Sequence, residues 1–432
     1  MFTNFKQEIQ IGFLSLINIL IAFYIQSYTF KCLGPGVETD ALFASMTAPQ
    51  LVISIVCGSL MNVLVPILSC EDEDGFYNIV WLTIFIVGGL FIVLALLLLT
   101  LAPWWVSLTV PGFTDGGKIL TLELTKFQLV TMVLTAVNTI QISALQSRNR
   151  FIYIELVIAI NSFISFLIIS FTLPIYGVFS VVWVISFRAI IQTLLFSIFI
   201  KKVPVWSDMN IKKITKVWFK VKPLIIGSLL YKTDPFFERY LLSSANSGSI
   251  SLYFFAQQIY GAGSQIIDKV IASPLVPRLS KLINDKKMKD FHLIYYWKLF
   301  EILLISLLII LMIIFFGIEI LNLLVLKDSF NTNKLNELWY IIIWLSGTFV
   351  FGNLSQITTS AFFTTGDTKT PSKIGIYTFF IYIPLKIISF YMFGVMGLAL
   401  STSFFVLINF LFQFFIFRNS VVDANGNFEV AP

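Results

Sequence analysis

Apolar runs of about 20 residues recur along the whole chain, parted by short polar connections. A helix of about 20 apolar residues is what a hydrocarbon core of about 30 Å requires. The strict alternation of barrel strands is missing from these runs. The pattern predicts an all-α polytopic membrane protein with about twelve spans, near residues 9–30, 40–68, 76–102, 121–146, 151–172, 175–200, 221–244, 250–276, 293–326, 335–363, 373–391 and 395–417. The first run, IGFLSLINILIAFYIQSYTF from Ile11, exceeds a signal-peptide core and has no small-residue cleavage site after it, so it predicts a retained helix.

One polar interruption stands out. The stretch LLYKTDPFFERYLLS, residues 229–243, places Lys232, Asp234, Glu238 and Arg239 inside a predicted span. Facing lipid at mid-bilayer, the four together would cost roughly 10 kcal/mol, so they are expected to face protein or a cavity. Lys232 and Arg239 are two helical turns apart and share one side; Asp234 and Glu238 share another. Pro235 is expected to kink the helix. In the next span Gln258, Gly261, Gln265 and Asp268 form a polar stripe at helical spacing. Mutual pairing, for instance of Asp268 with Lys232, is the plain alternative to a lined cavity. The third, fifth and twelfth spans have almost no such groups in their cores, which favours the cavity.

The distribution of basic residues orients the chain. Arg148 and Arg150 follow the fourth span, Lys201, Lys202, Lys212, Lys213, Lys216, Lys220 and Lys222 the sixth, Arg278, Lys281, Lys286, Lys287 and Lys289 the eighth, and Lys369 and Lys373 the tenth. The alternate connections hold only Lys31, Lys118, Lys327 and Lys334. Positive residues mark the cytoplasmic side, which predicts both termini inside. The acidic EDEDG turn at 71–75 falls on that side too, and reads as a solvated turn rather than a cation site.

Composition sharpens the class. The chain has 432 residues, 57% hydrophobic and 12% charged, with mean hydropathy +0.89 and net charge +6. No soluble domain of this size carries that balance. The basic excess is a topology signal, so no nucleic-acid partner is expected. Three cysteines in or beside apolar runs support neither a disulfide framework nor a metal site. A single histidine, His292, excludes histidine triads and zinc helices. The 45 Phe are spread over every run and read as lipid-facing bulk.

The chain also repeats itself. LVPILS around Pro66 returns as LVPRLS around Pro277, 211 residues on, and SALQSRNRF around Ala144 has a counterpart in SAFFTTGDTKTP around Ala361, 217 residues on. Two matches in the same order predict a duplication. Six spans per half make the repeat parallel, with lobes at 1–205 and 221–432 around a central cavity and a basic cytoplasmic linker at 206–220.

Several motifs resemble those of the MurJ/MviN-type lipid II flippases of the MOP exporter superfamily. They are GPGVETDALFASMTAP (Gly34, Gly36, Thr39, Asp40, Ala41, Phe43, Pro49), APWWVSLTVPGF (Ala102, Pro103, Pro111, Gly112, Phe113), NRF (Asn149 to Phe151), SGSIS (Ser247 to Ser251) and DTKTP (Asp367 to Pro371). They occur in the family's order from about residue 30 to 375. The resemblance implies a two-lobed helical fold in the bacterial inner membrane that turns a polyprenyl-diphosphate-linked saccharide across it, with the family's acidic–arginine pair at Glu238 and Arg239. On this reading Lys31, Lys232, Arg239, Gln258 and Gln265 line the substrate cavity, since a diphosphate needs fixed cations and donors. Asp234, Glu238 and Asp268 balance the cavity and are candidates to bind a driving proton or cation, with the membrane potential as a further drive and no other cofactor. Asp40, Pro49, Pro66 and Pro277 are motif residues with structural roles. The chain departs from the family in places. Its spans number twelve, not fourteen; the family's eighth-helix arginine falls on Gln258, its paired second-helix arginines near Ile53 and Ser54, its glutamate on Cys57, and of the first-helix arginines only the last has a basic counterpart, Lys31. A cation-coupled multidrug-type exporter is the alternative. A membrane glycan ligase or acyltransferase would need a general base in an outer loop, and these loops are short and lack histidine.

Overall fold

The apolar runs are helices, and polar residues mark where several begin. The computed structural model describes residues 2–200, 217–219, 221–222, 224–225, 229, 231–325, 332–367, 369–422 and 428–430. Eight helices come first: α1 (Phe2–Leu33), α2 (Val37–Ser45), α3 (Thr47–Ser69), α4 (Glu73–Thr100), α5 (Ala102–Thr109), α6 (Asp115–Ser147), α7 (Phe151–Tyr176) and α8 (Val178–Ser197). Then follow α9 (Asp234–Ser243), α10 (Ser249–Ile267), α11 (Ser273–Asn284), α12 (Met288–Val325), α13 (Thr332–Thr364) and α14 (Lys369–Asn419). A short antiparallel pair, Ser420–Val422 with Phe428–Val430, ends the described chain. Asp72 caps α4 by accepting from Gly75 N, and Thr114 caps α6 by accepting from Gly117 N.

Nine segments among the described residues are long and apolar enough to cross a membrane, against the twelve expected. The difference has three local causes. The 373–391 and 395–417 spans run together as α14, broken only at Gly394. The 221–244 span falls partly outside the described residues, and from residue 231 it is a 3-10 turn, Tyr231–Thr233, leading into α9. The 250–276 span is the polar α10, a π turn at Asp268–Ala272 and α11, which runs on to Asn284. Pro274 has no N–H for the Val270 carbonyl, and the turn before it widens accordingly. Pro235 is also placed differently from expectation. It lies in the first turn of α9, where a missing N–H costs nothing, and not at a mid-helix kink.

The chain divides into two compact units, Met1–Ser251 and Leu252–Pro432. In the first, α2, α3, α4, α5 and α8 pack along α6, while α7 packs on α1 and α8. Apolar clusters fill these seams, one joining Leu60, Leu64 and Leu68 of α3 to Phe76 and Val80 of α4 and Ile140 of α6. In the second unit α13 is the hub, with α11, α12 and α14 along it. Apart from residues 217–219, the predicted 206–220 linker lies outside the described residues.

The 217-residue offset reappears in the coordinates. Helices α6 and α13 are both 33 residues long and end in the same turn. Arg150 N donates to Leu145 O and Asn149 N to Gln146 O; Asp367 N donates to Phe362 O and Gly366 N to Phe363 O. Asn149 and Gly366 both take positive φ, at 56° and 87°. Ser147 Oγ bonds Ala144 O as Thr364 Oγ1 bonds Ala361 O, each at 2.8 Å. Gly177, between α7 and α8, has φ 56°, ψ −141°, and Gly394 has φ 61°, ψ −142°. Even an interhelix bond recurs: Ser186 Oγ donates to Phe127 O at 3.4 Å, and Ser403 Oγ to Trp344 O at 2.6 Å.

Candidate functional site

Three of the motif stretches meet at one end of the first unit. The chain leaves α1 through Gly34, whose φ is +68°, and the Thr39 hydroxyl accepts from Gly36 N and donates back to Gly34 O, fixing the turn into α2. That turn aims Asp40, 3% exposed, at the start of α10. Its Oδ2 accepts from Gly248 N at 2.6 Å and its Oδ1 from Ser251 N at 2.8 Å. Asp40 is therefore a helix cap supplied from 208 residues away, a placement suited to the positive end of a helix. Gly248 has φ +93°, and a Cβ there would come within 3.1 Å of Pro35. Gly112, of the PGF turn before α6, donates its N–H to Ser243 Oγ, and an added Cβ would overlap the Ser243 carbonyl. A cavity of about 220 Å³ opens among these turns, lined by Asp40, Phe113, Asn246 and Ser247.

The charged stretch lies in the same unit, where α9 packs on α3 and α5. Lys232 is half-buried in the turn before α9, and its Nζ donates to the Ser54 carbonyl of α3. A Cβ on Gly58 would lie 3.3 Å from that ammonium. Lys232 thus sets its charge beside residues 53–58, the turn on which the resemblance places the family's paired arginines and glutamate. Glu238 and Arg239 are both buried, at 3% and 4% exposure. Helical spacing set the acidic and basic residues on opposite sides, yet the long guanidinium reaches back to put Nη1 3.8 Å from Glu238 Oε2. Asp234 is half-buried at the start of α9, and Lys31 is exposed in the last turn of α1. Pro49 is buried near the start of α3; Pro66 is exposed within it.

In the second unit Gln258 and Gln265 are exposed on α10, and Asp268, in the π turn, accepts from Gln356 Nε2 at 2.5 Å. Pro277 is exposed in α11. A cavity of about 270 Å³ lies beside α10, lined by Gln257, Tyr260, Ser264, Thr348, Phe349 and Thr402. Behind it the Tyr253 and Tyr382 hydroxyls both meet Thr402 Oγ1, at 3.1 and 3.0 Å. Lys386 is wholly buried, its ammonium 4.8 Å from the Tyr382 ring centre.

Lys386, wholly buried, and Arg188, half-buried, are two cations within the helices that sequence reasoning passed over. Each is a single basic residue well inside a predicted apolar span, which is signal enough. The acidic 71–75 turn also gains content: Asp72 is spent on capping α4, and Arg148 donates to Glu71 O at 3.2 Å while its guanidinium carbon lies 4.4 Å from the Phe76 ring centre. Among the described residues, no three His, Cys, Asp or Glu side chains are grouped to hold a metal.

Comparison with known proteins gives this geometry its relatives. The family model described as "Lipid II flippase MurJ" matches residues 30–428. A probable lipid II flippase MurJ of Buchnera aphidicola subsp. Schizaphis graminum is 24% identical over 98% of this chain and 85% of its own. Another, from Rickettsia prowazekii, is 24% identical over 93% and 81%. Among solved structures, a lipid II flippase MurJ in an inward closed conformation superposes with TM-score 0.81 at 21% identity, over 95% of this chain and 87% of that one. An inward-facing multidrug resistance MATE family transporter of the MOP superfamily follows with TM-score 0.77 at 13% identity, over 91% and 94%. The chain shares the two-lobed, all-helical fold of both.

Proposed function

Because the chain belongs to the lipid II flippase MurJ family, we propose that it turns a polyprenyl-diphosphate-linked saccharide, lipid II or a related lipid-linked unit, across the bacterial inner membrane by alternating access. The observation that carries the reading is the charge set around α9. Glu238 and Arg239 are buried as a pair, and Lys232 brings a cation to the α3 turn where the family's arginines are replaced. A diphosphate binds best to fixed, partly desolvated cations with spare donors. Arg239, Lys232 and Lys31 are assigned that role, with Gln258 and Gln265 as polar donors to the saccharide. Asp234, Glu238 and Asp268 hold the balancing negative charge, and one of them takes the driving proton or cation. The protein acts as a transporter rather than an enzyme, with both termini cytoplasmic.

Likeness to MATE transporters favours one second reading, efflux of a soluble organic cation. Depleting the protein separates the two. The flippase reading expects polyprenyl-linked saccharide to accumulate on the cytoplasmic leaflet, beyond reach of an externally added glycan-modifying enzyme. Unchanged sidedness of every lipid-linked pool, with altered efflux of a soluble cation, replaces it with the exporter. In complementation, Arg239→Ala should lose transport while the protein still inserts at normal levels, because the diphosphate loses a fixed guanidinium. Arg239→Lys should be impaired, since a point charge replaces a fork.

A further inference from the structure

Arg188 lies near the middle of the 20-residue α8, at a depth where a charged side chain needs a specific reason to be present. Trp183, Phe187, Ile190 and Leu194 are the exposed row of that helix. Arg188 is off this row and half-buried, on the side that meets α7. Among the described residues its guanidinium makes one hydrogen bond, Nη2 donating to Ser162 Oγ at 3.2 Å, and no carboxylate lies within ion-pair distance of it. Its backbone is held as well: Asn161 Nδ2 donates to the Arg188 carbonyl at 2.8 Å. That bond leaves Asn161 Oδ1 buried and without a partner among the described residues. The cation is therefore positioned from α7, and most of its donors are unspent.

The second unit fills the matching helix pair differently. At the 217-residue offset Arg188 corresponds to Phe405 and Ser165 to Tyr382. There the two positions form an aromatic stack with ring centres 4.2 Å apart and planes at 18°. The second unit's seam holds these rings with the buried Lys386 ammonium 4.8 Å from the Tyr382 ring centre, while the first unit's holds a guanidinium bonded to Ser162 and the small, buried Ser165 where the second has Tyr382. In the second unit the buried cation lies on an aromatic face, whereas in the first the guanidinium has the Ser162 hydroxyl as its one hydrogen-bond partner among the described residues.

From this geometry we infer an oxyanion site inside the first unit, centred on Arg188 and floored by Ser162, that binds a phosphate or diphosphate group within the span of the membrane. A guanidinium presents paired N–H groups that match two phosphate oxygens, and a low-dielectric setting strengthens the contact. Two sources offer that chemistry, a free inorganic phosphate and the diphosphate of the lipid-linked substrate. Only the second rests on the flippase reading.

The test is equilibrium binding to the purified full chain in nanodiscs, with inorganic pyrophosphate in one arm and a polyprenyl diphosphate in the other. Wild type should bind at least one probe saturably, and Arg188→Gln should bind it at least about tenfold more weakly, as expected for losing a hydrogen bond to a charged group. Saturation by pyrophosphate alone assigns the site to free anions; saturation by the polyprenyl diphosphate alone assigns it to the substrate. The double variant Ser165→Tyr/Arg188→Phe carries the second unit's stack into the first. It should lose binding while its thermal unfolding midpoint stays with wild type, which separates a lost site from a lost fold. Equal binding by wild type and Arg188→Gln, or no saturable binding of either probe, overturns the site. Neither measurement involves flipping, so failure here leaves the transport reading standing, and failure of transport leaves this site standing.

Discussion

Asn149 and Gly366 sit at the same left-handed position of the same helix-ending turn, one in each unit, and the backbone hydrogen bonds that close the turn are the same in both. Beyond those shared backbone devices the two copies diverge. The first ends its turn between Arg148 and Arg150, closes α7 against α8 with Ser162, Ser165 and Arg188, and places Ser180 three residues after the break at Gly177. The second ends its turn in Asp367, closes the halves of α14 with Tyr382 and Phe405, and places Gly397 three residues after the break at Gly394. Positive-φ turns and one interhelix serine bond are thus what the fold demands of both copies. The side chains that fill the seam are free to differ, and that is where function has room to diverge.

The comparison breaks most sharply at Gly397. If the copies were interchangeable, Gly397→Ser would be harmless, because Ser180 occupies the matching place and bonds Gly177 O at 2.8 Å. In the second copy, however, a Cβ would overlap the Ser389 carbonyl across the break. Gly397→Ser should therefore cost about 1–3 kcal/mol or more by overpacking, and Ser180→Gly much less. Unfolding midpoints of the two variants in detergent should differ by several degrees; equal midpoints would mean the second break is as open as the first.

A smaller effect is expected at the turn itself. Asparagine tolerates the left-handed region and glycine has no preference against it, so Asn149→Gly and Gly366→Asn should both fold at nearly wild-type stability. A β-branched residue clashes there, and Gly366→Val should lose about 1–2 kcal/mol. Matching losses in all three variants would show that the turn is held by something other than its backbone angle.

The helices and their repeat were legible in the sequence because hydrophobic runs and glycine-marked turns are local signals, whereas the meeting of the motif stretches was not. Nor was the divergence. Glu238 and Arg239 contact each other although wheel geometry sends them apart, since a long side chain can cross a helix surface that spacing treats as rigid. Lys232 reaches the Ser54 carbonyl across 178 residues of chain, and no pattern in either stretch announces it. Asp40 shows the same limit: its motif was visible, but its work as the cap of α10 depends on a turn 208 residues later. Arg188 and Lys386 were visible as letters and were outweighed by the denser charge at 229–243.

The recurring serine bond sharpens the comparison further. Ser403 Oγ gives its proton to Trp344 O at 2.6 Å, whereas Ser186 has Val182 O at 2.8 Å as a nearer acceptor than Phe127 O at 3.4 Å, and Thr131 Oγ1 at 3.0 Å beside it. Ser403→Ala removes a committed interhelix bond and should cost about 1 kcal/mol, within the range measured for polar contacts between membrane helices. Ser186→Ala should cost less. The order of the two midpoints is the test, and a larger loss at Ser186 would reverse the reading of which copy depends on the bond.

The smallest expected effect separates the copies by pH. Asp367 stands where the first copy has Arg150, and its Oδ1 accepts from Lys369 N and Thr370 N, both at 3.0 Å, to cap α14. Partial burial works against its charged form, but the Thr370 hydroxyl, the backbone N–H groups of Thr370 and Lys369, and the nearby Lys373 ammonium outweigh it and hold the carboxyl below its ordinary range. Arg150, the residue before α7, makes no side-chain cap. A carboxyl depressed in the folded state stabilises above its unfolded pKa, about 3.9, and that contribution is lost as pH falls through the lower folded value. Unfolding midpoints of wild type and Asp367→Asn, followed downward from neutral pH, should therefore differ by a constant amount above about pH 5 and converge below the unfolded pKa, as titration of the cap erases its advantage. Arg150→Gln should run parallel to wild type through the same window, because a guanidinium does not titrate there. A constant gap between Asp367→Asn and wild type down to the lowest pH reached would mean that the cap acts through its hydrogen bonds alone, and that the acidic residue in the second copy carries no charge-dependent role.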